Sequence, residues 1–242
     1  MRKEPSDRSE MVSQVVYGET MDILEENEKW YMIQLSHDGY QGWIDKKQAI
    51  PYDIDSANRT ILMTSLWSTF KTLKDHAIAL PAGSSVFIDV SNSHPAGEFI
   101  STATQNSNSG AISLIHAASQ FIGSPYLWGG RTSAGIDCSG FTQLVFRLAY
   151  NKNIPRDAYQ QAEIGEAISF VEESQTGDLA FFDNSEGRIT HVGIIINESG
   201  EKPTILHASG YVREDKIDHQ GIYSQTTGVY THNLRIIKRI KN

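Results

Sequence analysis

The segment GSPYLWGGRTSAGIDCSGFTQLVFRLAY, at residues 123–150, decides the fold of the C-terminal half of the chain. Glycines at positions 129, 130, 135 and 140 fall within 12 residues, and so dense a cluster is typical of a turn. Apolar side chains then recur at helical spacing and mark one face of a helix: Phe141, Leu144, Val145 and Leu148. The segment therefore predicts a glycine-rich turn that leads into a helix close to Cys138.

The residues around this segment complete an α+β domain. Ile115, Ala118 and Ile122 follow a helical period that Gly123 would end. Strand-like runs follow the second helix, at residues 178–183, 190–197, 203–208 and 228–237. Two helices followed by an antiparallel set of strands predict an α+β domain over residues 111–242.

The N-terminal half is predicted to consist of short strands separated by turns. Residues 1–51 combine short apolar runs with the hairpin signal Asp38-Gly39, a pattern typical of a small β-barrel or sandwich. Residues 52–110 repeat this pattern less clearly and predict a second small barrel, in which the Ser-, Asn- and Thr-rich stretch 102–110 is a loop. We therefore expect three domains, with boundaries at 51/52 and 110/111.

Composition excludes several classes of protein. The net charge is −8 and no block of Lys or Arg occurs, which argues against a nucleic-acid partner, because such binding needs a basic stripe. The single cysteine excludes an intrachain disulfide and a cysteine-rich zinc module. The longest apolar stretches, such as residues 192–196, are far shorter than the ~20 residues that span a bilayer. We expect no membrane partner.

The N-terminus bears on localisation. The first six residues, MRKEPS, are charged, and no apolar stretch typical of a secretory signal follows them. We therefore expect a cytoplasmic protein. The alternative is that the chain begins inside a longer one, which would allow a periplasmic or extracellular location.

Cys138 is the first candidate for chemistry. An isolated cysteine is most often a small buried apolar residue. This one follows a glycine-rich turn and immediately precedes an amphipathic helix, where unpaired amides and the helix dipole favour a thiolate and could stabilise an oxyanion. A structural cysteine needs no glycines nearby, whereas a nucleophile needs room for substrate backbone, which Gly129 and Gly130 would leave.

Two histidines could serve as base and orienting group. His191 and His207 each lie in a strand-like apolar run, and on adjacent strands they would meet at ~5 Å. One could then hold the other through its second ring nitrogen. Cys138 with both histidines would also suit a catalytic zinc, but close ligand spacing is lacking, so we expect no metal and no other cofactor. The remaining histidines are interpreted as ordinary polar residues of loops, linkers or a helix: His37, His76, His94, His116, His219 and His232.

Four ordered motifs resemble the NlpC/P60 cell-wall peptidases, over residues 111–237. They are the nucleophile segment at 123–141, the arginine-containing segment at 154–161, the histidine segment at 177–194 and the third-residue strand at 205–208. The resemblance implies a compact papain-like fold. It also implies that Cys138 is the nucleophile, His191 the base and His207 the orienting residue.

The N-terminal half resembles bacterial SH3-like (SH3b) modules, through Glu4-Pro5-Ser6 and residues 39–44. Two such small barrels before an NlpC/P60 domain resemble the layout of γ-D-glutamyl-L-diamino acid endopeptidases. That subgroup cuts murein tri- or tetrapeptides with a free N-terminal L-Ala, at the bond between γ-D-glutamate and diaminopimelate or lysine. The resemblance thus implies a cysteine endopeptidase of cell-wall peptide recycling. We expect the protein to be a monomer.

The same resemblance implies a set of substrate-binding residues. They are Tyr126, Trp128, Asp137 and Ser139 around the nucleophile, with Glu19 and Tyr40 from the first SH3b module. Asp137 is expected to bind the substrate's free α-amine, and its alternative role is a helix N-cap. Ala158 departs from the family pattern, because many relatives have serine there. Two other functions stay open: a non-catalytic wall-binding protein, and an amidase or acyltransferase on the same fold.

Overall fold

The computed structural model divides the chain into two compact units, Met1–Ile112 and Ser113–Asn242. The residues that it describes are 1–50, 59–72, 76–88, 97–99, 112–198 and 201–241. Both boundaries that we predicted, at 51/52 and 110/111, lie outside the described residues, as does the loop predicted at 102–110.

The first unit is built from short antiparallel strands. Its described strands are β1 Met21–Glu26, β2 Trp30–Leu35, β3 Gln41–Asp45, β4 Arg59–Leu62, β5 Trp67–Thr72, β6 Ala77–Pro81, β7 Ser85–Ile88 and β8 Gly97–Phe99. They pair in the orders β1-β2-β3, β4-β7 and β6-β5-β8. The Asp38-Gly39 hairpin is confirmed between β2 and β3, because Gly39 has a φ of 72° that favours glycine and Asp38 accepts the Tyr40 amide.

Two small apolar clusters hold this unit together. One is formed by three buried residues of the first sheet: Ile33, Leu35 and Ile44. The other is formed by three buried residues further along the chain: Met63, Leu80 and Val86. Each cluster is small, as the short strands that supply it require.

The second unit contains three described α-helices, α1 Leu114–Ser119, α2 Cys138–Tyr150 and α3 Ala158–Gln161, and a short 3-10 helix at Val171–Glu173. Helix α2 begins where Asp137 accepts the Gly140 amide as N-cap, and it ends at Asn151 in the left-handed conformation. The predicted helix is confirmed, and its burial extends beyond the predicted apolar face. Nearly every residue of α2 is buried, because the helix lies between α1, α3 and the main sheet.

The main sheet has seven antiparallel strands. A separate hairpin, β9 Arg131–Thr132 and β10 Gly135–Ile136, precedes α2. The sheet then uses β11 Glu166–Ile168, β12 Leu179–Asp183, β13 Ile189–Ile196, β14 Thr204–Ser209, β15 Tyr211–Asp218, β16 Gly221–Ser224 and β17 Val229–Arg239. Their order is β11-β17-β12-β13-β14-β15-β16, and an additional β16–β17 pairing closes β12 to β17 into a barrel. The four predicted strand runs are confirmed, whereas β11, β15 and β16 were not predicted.

Apolar side chains from the whole ring of strands fill the barrel. The buried cluster comprises Val171, Ala180, Phe182, Ile195, Ile205, Ile217, Ile222 and Ile237. His191 pairs with Phe182 on β12, and His207 lies two residues from Ile205 on β14. Since side chains alternate across a strand, both histidines face the barrel interior.

Candidate active site

Cys138 occupies the first position of α2 and is 6% exposed. The Val192 amide on β13 donates a hydrogen bond to its sulfur. Burial raises the pKa of the Cys138 thiol to about 12, with the Asp137 charge acting in the same direction and the Val192 amide and Arg156 acting against them. The expectation that the helix terminus favours a thiolate is therefore wrong here, since burial outweighs the amides.

His191 and His207 meet as the two strand runs predicted. A hydrogen bond of 2.8 Å joins His191 Nε2 to His207 Nδ1, and the ring centroids are 5.0 Å apart at an interplanar angle of 82°. The partner of His207 in the β13–β14 ladder is Gly193, so the two imidazoles meet diagonally. An ideal Cβ at Gly193 would lie 2.9 Å from the Cβ of His207. Because Gly193 has no side chain, His207 can occupy its position beside His191.

Two residues of β15 extend this pair. His207 Nε2 lies 3.0 Å from Asp215 Oδ2, and Arg213 Nε donates to the same oxygen at 2.7 Å. Burial lowers the pKa of His191 well below its usual 6.5, aided by the neighbouring His207, and burial also lowers that of His207. For Asp215 the cost of burial is outweighed by hydrogen bonds from His207 and Arg213, which lower its pKa. Both histidines are therefore neutral at neutral pH, and the carboxylate is ionised.

His232 completes one wall of the site. Its ring stacks on His191 with a centroid distance of 4.2 Å and an angle of 25°, and it meets the edge of Phe182 at 5.9 Å. Its interpretation as an ordinary loop, linker or helix residue is wrong, because it lies on β17 and that strand closes the barrel. Burial, with His207 and Arg213, lowers the pKa of His232 to about 4. No local pattern marks this residue, since its contact with His191 depends on barrel closure.

Asp137 anchors the start of α2 beneath the cysteine. Its Oδ1 accepts from the Gly140 amide at 2.7 Å, from Arg156 at 3.0 Å and from the Ser139 hydroxyl at 3.3 Å. Its Oδ2 accepts from the Gly129 amide at 2.8 Å and from Arg156 at 2.6 Å. The alternative role of Asp137 as N-cap is thus confirmed. Arg156, which is 2% exposed, forms an ion pair with Asp137. Its segment matched a family motif in the sequence, but no role was predicted for the residue.

The loop before α2 carries the two predicted aromatic residues, and Tyr126 lies close enough to Cys138 and Asp137 to feel their charges. Burial, together with the charges of Cys138 and Asp137, raises the pKa of Tyr126 to about 12, so its hydroxyl is a hydrogen-bond donor at neutral pH. Trp128 is 59% exposed. The explanation of the glycines as room for substrate is wrong for Gly130. A Cβ there would lie 2.4 Å from the carbonyl oxygen of Gly135, so the loop's own backbone fills that space.

Glu19 and Tyr40 belong to the first unit. Glu19 is buried, its Oε2 accepts the Val16 amide at 2.9 Å, and its Oε1 lies 3.6 Å from His37 Nδ1. Tyr40 is half-buried and follows the hairpin turn. Their predicted role at the substrate stays a prediction.

Two further properties concern the described part of the chain. Within it, no group of three or more His, Cys, Asp or Glu side chains is arranged to hold a metal ion. None of the described helices has the length and apolar character that crossing a membrane requires.

Comparison with known proteins places both units. Residues 123–231 match the NlpC/P60 family, and residues 1–48 match the bacterial dipeptidyl-peptidase SH3 domain. The second unit is thus an NlpC/P60 domain, and the first unit carries a bacterial SH3 domain.

Individual relatives agree with this assignment. A gamma-D-glutamyl-L-lysine dipeptidyl-peptidase of Bacillus cereus is 26% identical over 226 residues, which cover 78% of this chain and 66% of that protein. The protein of the same name from Bacillus subtilis is 42% identical over 88 residues, covering 36% of this chain and 29% of that protein. The crystal structure of an NlpC/P60 family protein from Bacillus cereus superposes with a TM-score of 0.71 at 22% identity, covering 94% of this chain and 81% of that one. This superposition shows that the fold is shared.

Proposed function

We propose that the protein is a cysteine endopeptidase that hydrolyses the bond between γ-D-glutamate and an L-diamino acid in murein peptides with a free N-terminal L-Ala. One observation carries the proposal. The hydrogen-bonded pair His191–His207 lies on the strands beside Cys138, whose sulfur accepts the amide next to His191. A nucleophile, a base and a group that orients the base are what thiol catalysis needs. The names of the two Bacillus relatives support the choice of substrate.

The charge states of the site support general-base activation of the thiol. The pKa of Cys138 is raised by burial and that of His191 is lowered by burial, so both start neutral. His191 takes the proton as the sulfur attacks the γ-carbonyl carbon, and the C–S bond forms as the carbonyl oxygen becomes an oxyanion. The Cys138 amide and the Tyr126 hydroxyl donate to that oxyanion.

Collapse of the tetrahedral intermediate completes acylation. The C–N bond breaks, and His191 returns its proton to the amine of the diamino acid, which leaves. A thioester between Cys138 and the γ-carboxyl group remains. His191 then takes a proton from water as the water oxygen attacks the thioester, and the thiol is restored when L-Ala-γ-D-Glu departs.

Selection of a free amine is the second part of the proposal. We assign it to Asp137, Glu19 and Tyr40, because a desolvated ammonium needs fixed carboxylates. The Asp137 oxygens already accept five hydrogen bonds, so the ammonium has to replace one of them. The bond from Ser139 is the longest at 3.3 Å, and the Ser139 hydroxyl keeps Arg156 as a partner at 2.9 Å. This exchange would make Ser139 a substrate-responsive group.

The wider setting follows from this specificity. A requirement for a free L-Ala amine restricts the enzyme to peptides already detached from muramic acid, which is a recycling role and fits a cytoplasmic location. We also propose that residues 52–110 form a second SH3-like module and that the NlpC/P60 domain has a papain-like arrangement. The protein is proposed to be a monomer.

Mass spectrometry of defined peptides tests the proposal. L-Ala-γ-D-Glu-L-Lys and its diaminopimelate counterpart are incubated with the protein, beside versions acetylated at L-Ala. Loss of a desolvated charged hydrogen bond costs roughly 2–5 kcal/mol, so acetylation should lower the cleavage rate at least ~100-fold. Glu19→Gln should lower the rate on the free peptide to a smaller extent, and Glu28→Gln, at an exposed carboxylate of the same unit, should leave it unchanged.

Each contrary outcome has a definite meaning. Equal rates on free and acetylated peptides would contradict the recycling role and would indicate that the enzyme cleaves peptides of the intact cell wall. Binding without cleavage would favour the non-catalytic alternative. Transfer of the acyl group to an added amine in place of water would favour the acyltransferase alternative.

A further inference from the structure

Strand β15 directs a carboxylate into the apolar barrel. Its inward positions alternate as Arg213, Asp215 and Ile217, and Ile217 belongs to the buried cluster that fills the barrel. Asp215 is 4% exposed. An ionised carboxylate in such surroundings is costly unless it is paired and hydrogen-bonded. Apolar packing alone therefore does not explain why a carboxylate occupies this position.

The hydrogen bonds of Asp215 show what it can do. Its pKa is lowered, despite burial, by hydrogen bonds from His207 and Arg213, so it is ionised and can only accept. The proton of the 3.0 Å bond between His207 Nε2 and Asp215 Oδ2 must therefore sit on Nε2. A neutral imidazole has one N–H, which leaves His207 Nδ1 as an acceptor.

The tautomer of His207 in turn fixes that of His191. Because His207 Nδ1 accepts, His191 Nε2 must donate the 2.8 Å bond that joins the two rings. His191 is also neutral, so its Nδ1 carries the lone pair. His232 stacks on the face of His191 and does not compete in the ring plane. Nδ1 is therefore the one nitrogen of His191 that can take a proton.

We propose that Asp215, held by Arg213, is a positioning residue that sets the tautomers of His207 and His191 and thereby makes His191 Nδ1 the base. The inference rests on the proposed function, in which His191 takes the proton of Cys138. It adds a fourth and a fifth member to the three residues that the sequence predicted. Arg213 contributes by donating to Asp215 Oδ2 at 2.7 Å, which orients the carboxylate.

Asp215→Asn, always combined here with Arg213→Met, tests this role, because an amide has the shape of the carboxylate and can donate to His207 once no guanidinium donates to the same atom. Arg213→Met alone keeps the accepting carboxylate and serves as the reference for the combined variant. A donating amide lets His207 carry its proton on Nδ1, which turns His191 Nε2 into the acceptor and places the His191 proton on Nδ1. When an aspartate in direct contact with the base of a serine protease is replaced in this way, kcat falls ~10⁴-fold. Here one imidazole intervenes, so we expect a loss in kcat of roughly 10²-fold with little change in KM.

Two measurements are made on the same preparations. Steady-state kinetics on L-Ala-γ-D-Glu-L-Lys gives kcat and KM. Nitrogen-15 NMR of histidine-labelled protein, without substrate, reports which ring nitrogen of His191 and His207 is protonated. Glu214→Gln is the matched control, because it removes a carboxylate on the adjacent, outward-facing and exposed position of β15. The control should keep wild-type kinetics and tautomers.

The expected result is protonated Nε2 on both histidines in the wild type, and Nδ1–H forms in Asp215→Asn together with the loss in kcat. A structural role alone would lower the folded fraction without moving the tautomers.

Three outcomes would overturn the inference. They are an Nδ1–H form of His207 in the wild type, unchanged tautomers in a folded Asp215→Asn, and kcat lost equally in Glu214→Gln. The wild-type spectrum decides the matter even where Asp215→Asn does not fold. Correct tautomers in a protein that cleaves none of the peptides would leave this inference standing and remove the proposed function instead.

Discussion

Gly193→Ala tests whether the site depends on an absent side chain. Gly193 pairs with His207 across the β13–β14 ladder. An ideal Cβ there would lie 2.9 Å from His207 Cβ and 2.7 Å from the Cγ1 and Cδ1 atoms of Ile205. Carbon atoms in contact keep about 3.5 Å, so His207 would have to move by about 0.6 Å and Ile205 by somewhat more.

That displacement is enough to break the pair of imidazoles. The bond between His191 and His207 measures 2.8 Å, and a shift of about 0.6 Å along it exceeds the usual upper limit near 3.2 Å. Misplacement of a catalytic group by ~1 Å can cost ~10²-fold in rate, so we expect kcat/KM to fall roughly 10- to 100-fold. Overpacking of this kind should also lower the free energy of unfolding by about 1–3 kcal/mol.

A second substitution separates the two effects. Ile205→Val removes Cδ1, one of the clashing atoms, and by itself should cost about 0.5–1.5 kcal/mol. In the double variant the loss of stability should be smaller than the sum of the single losses, whereas the clash with His207 remains and activity should stay low. Urea unfolding and kcat/KM on the murein tripeptide are the two assays. A Gly193→Ala protein with wild-type kcat/KM, or a double variant that regains activity together with stability, would refute the reasoning.

Other predictions concern the nucleophile, the base and the buried ion pair. Cys138→Ala should abolish turnover while peptide binding, measured by calorimetry, persists; residual hydrolysis in a clean preparation would exclude the thiol mechanism. His191→Ala should lose ~10²–10⁴-fold in kcat for each proton-transfer role, and His207→Ala less, so the reverse order would exchange their roles. His191 must be neutral to accept a proton and its pKa lies well below 6.5. The acid limb of kcat/KM against pH should therefore fall below 6.5, and an acid limb above that value would contradict the site. Arg156→Met should cost about 3–5 kcal/mol in urea unfolding because it leaves the Asp137 carboxylate buried and unpaired, and a loss below about 1 kcal/mol would show that the ion pair contributes little.

Local signals in the sequence were sufficient for the elements that carry the three predicted catalytic residues. The N-cap Asp137, the glycine-rich turn and the apolar period that follows all lie within one short segment, so they specify α2 and place Cys138 at its start. The alternation of β13 and β14 likewise directs His191 and His207 to one side of the sheet. Their meeting needed in addition that the two strands be neighbours in the register that pairs Gly193 with His207.

The tertiary structure decided which other residues join the three predicted catalytic residues. It also decided which side chains of the site are charged. Strand β15 escaped prediction because Arg213 and Asp215 occupy inward positions where a strand pattern expects apolar residues. His232 reaches His191 only because β17 closes the barrel, and Arg156 reaches Asp137 across 19 positions of chain. Periodicity reports the face on which a side chain lies, whereas contact depends on register, and a slip of one residue would turn a whole strand over. Protonation depends on burial, so the protonated thiol and the neutral histidines follow from the packed barrel and from no motif.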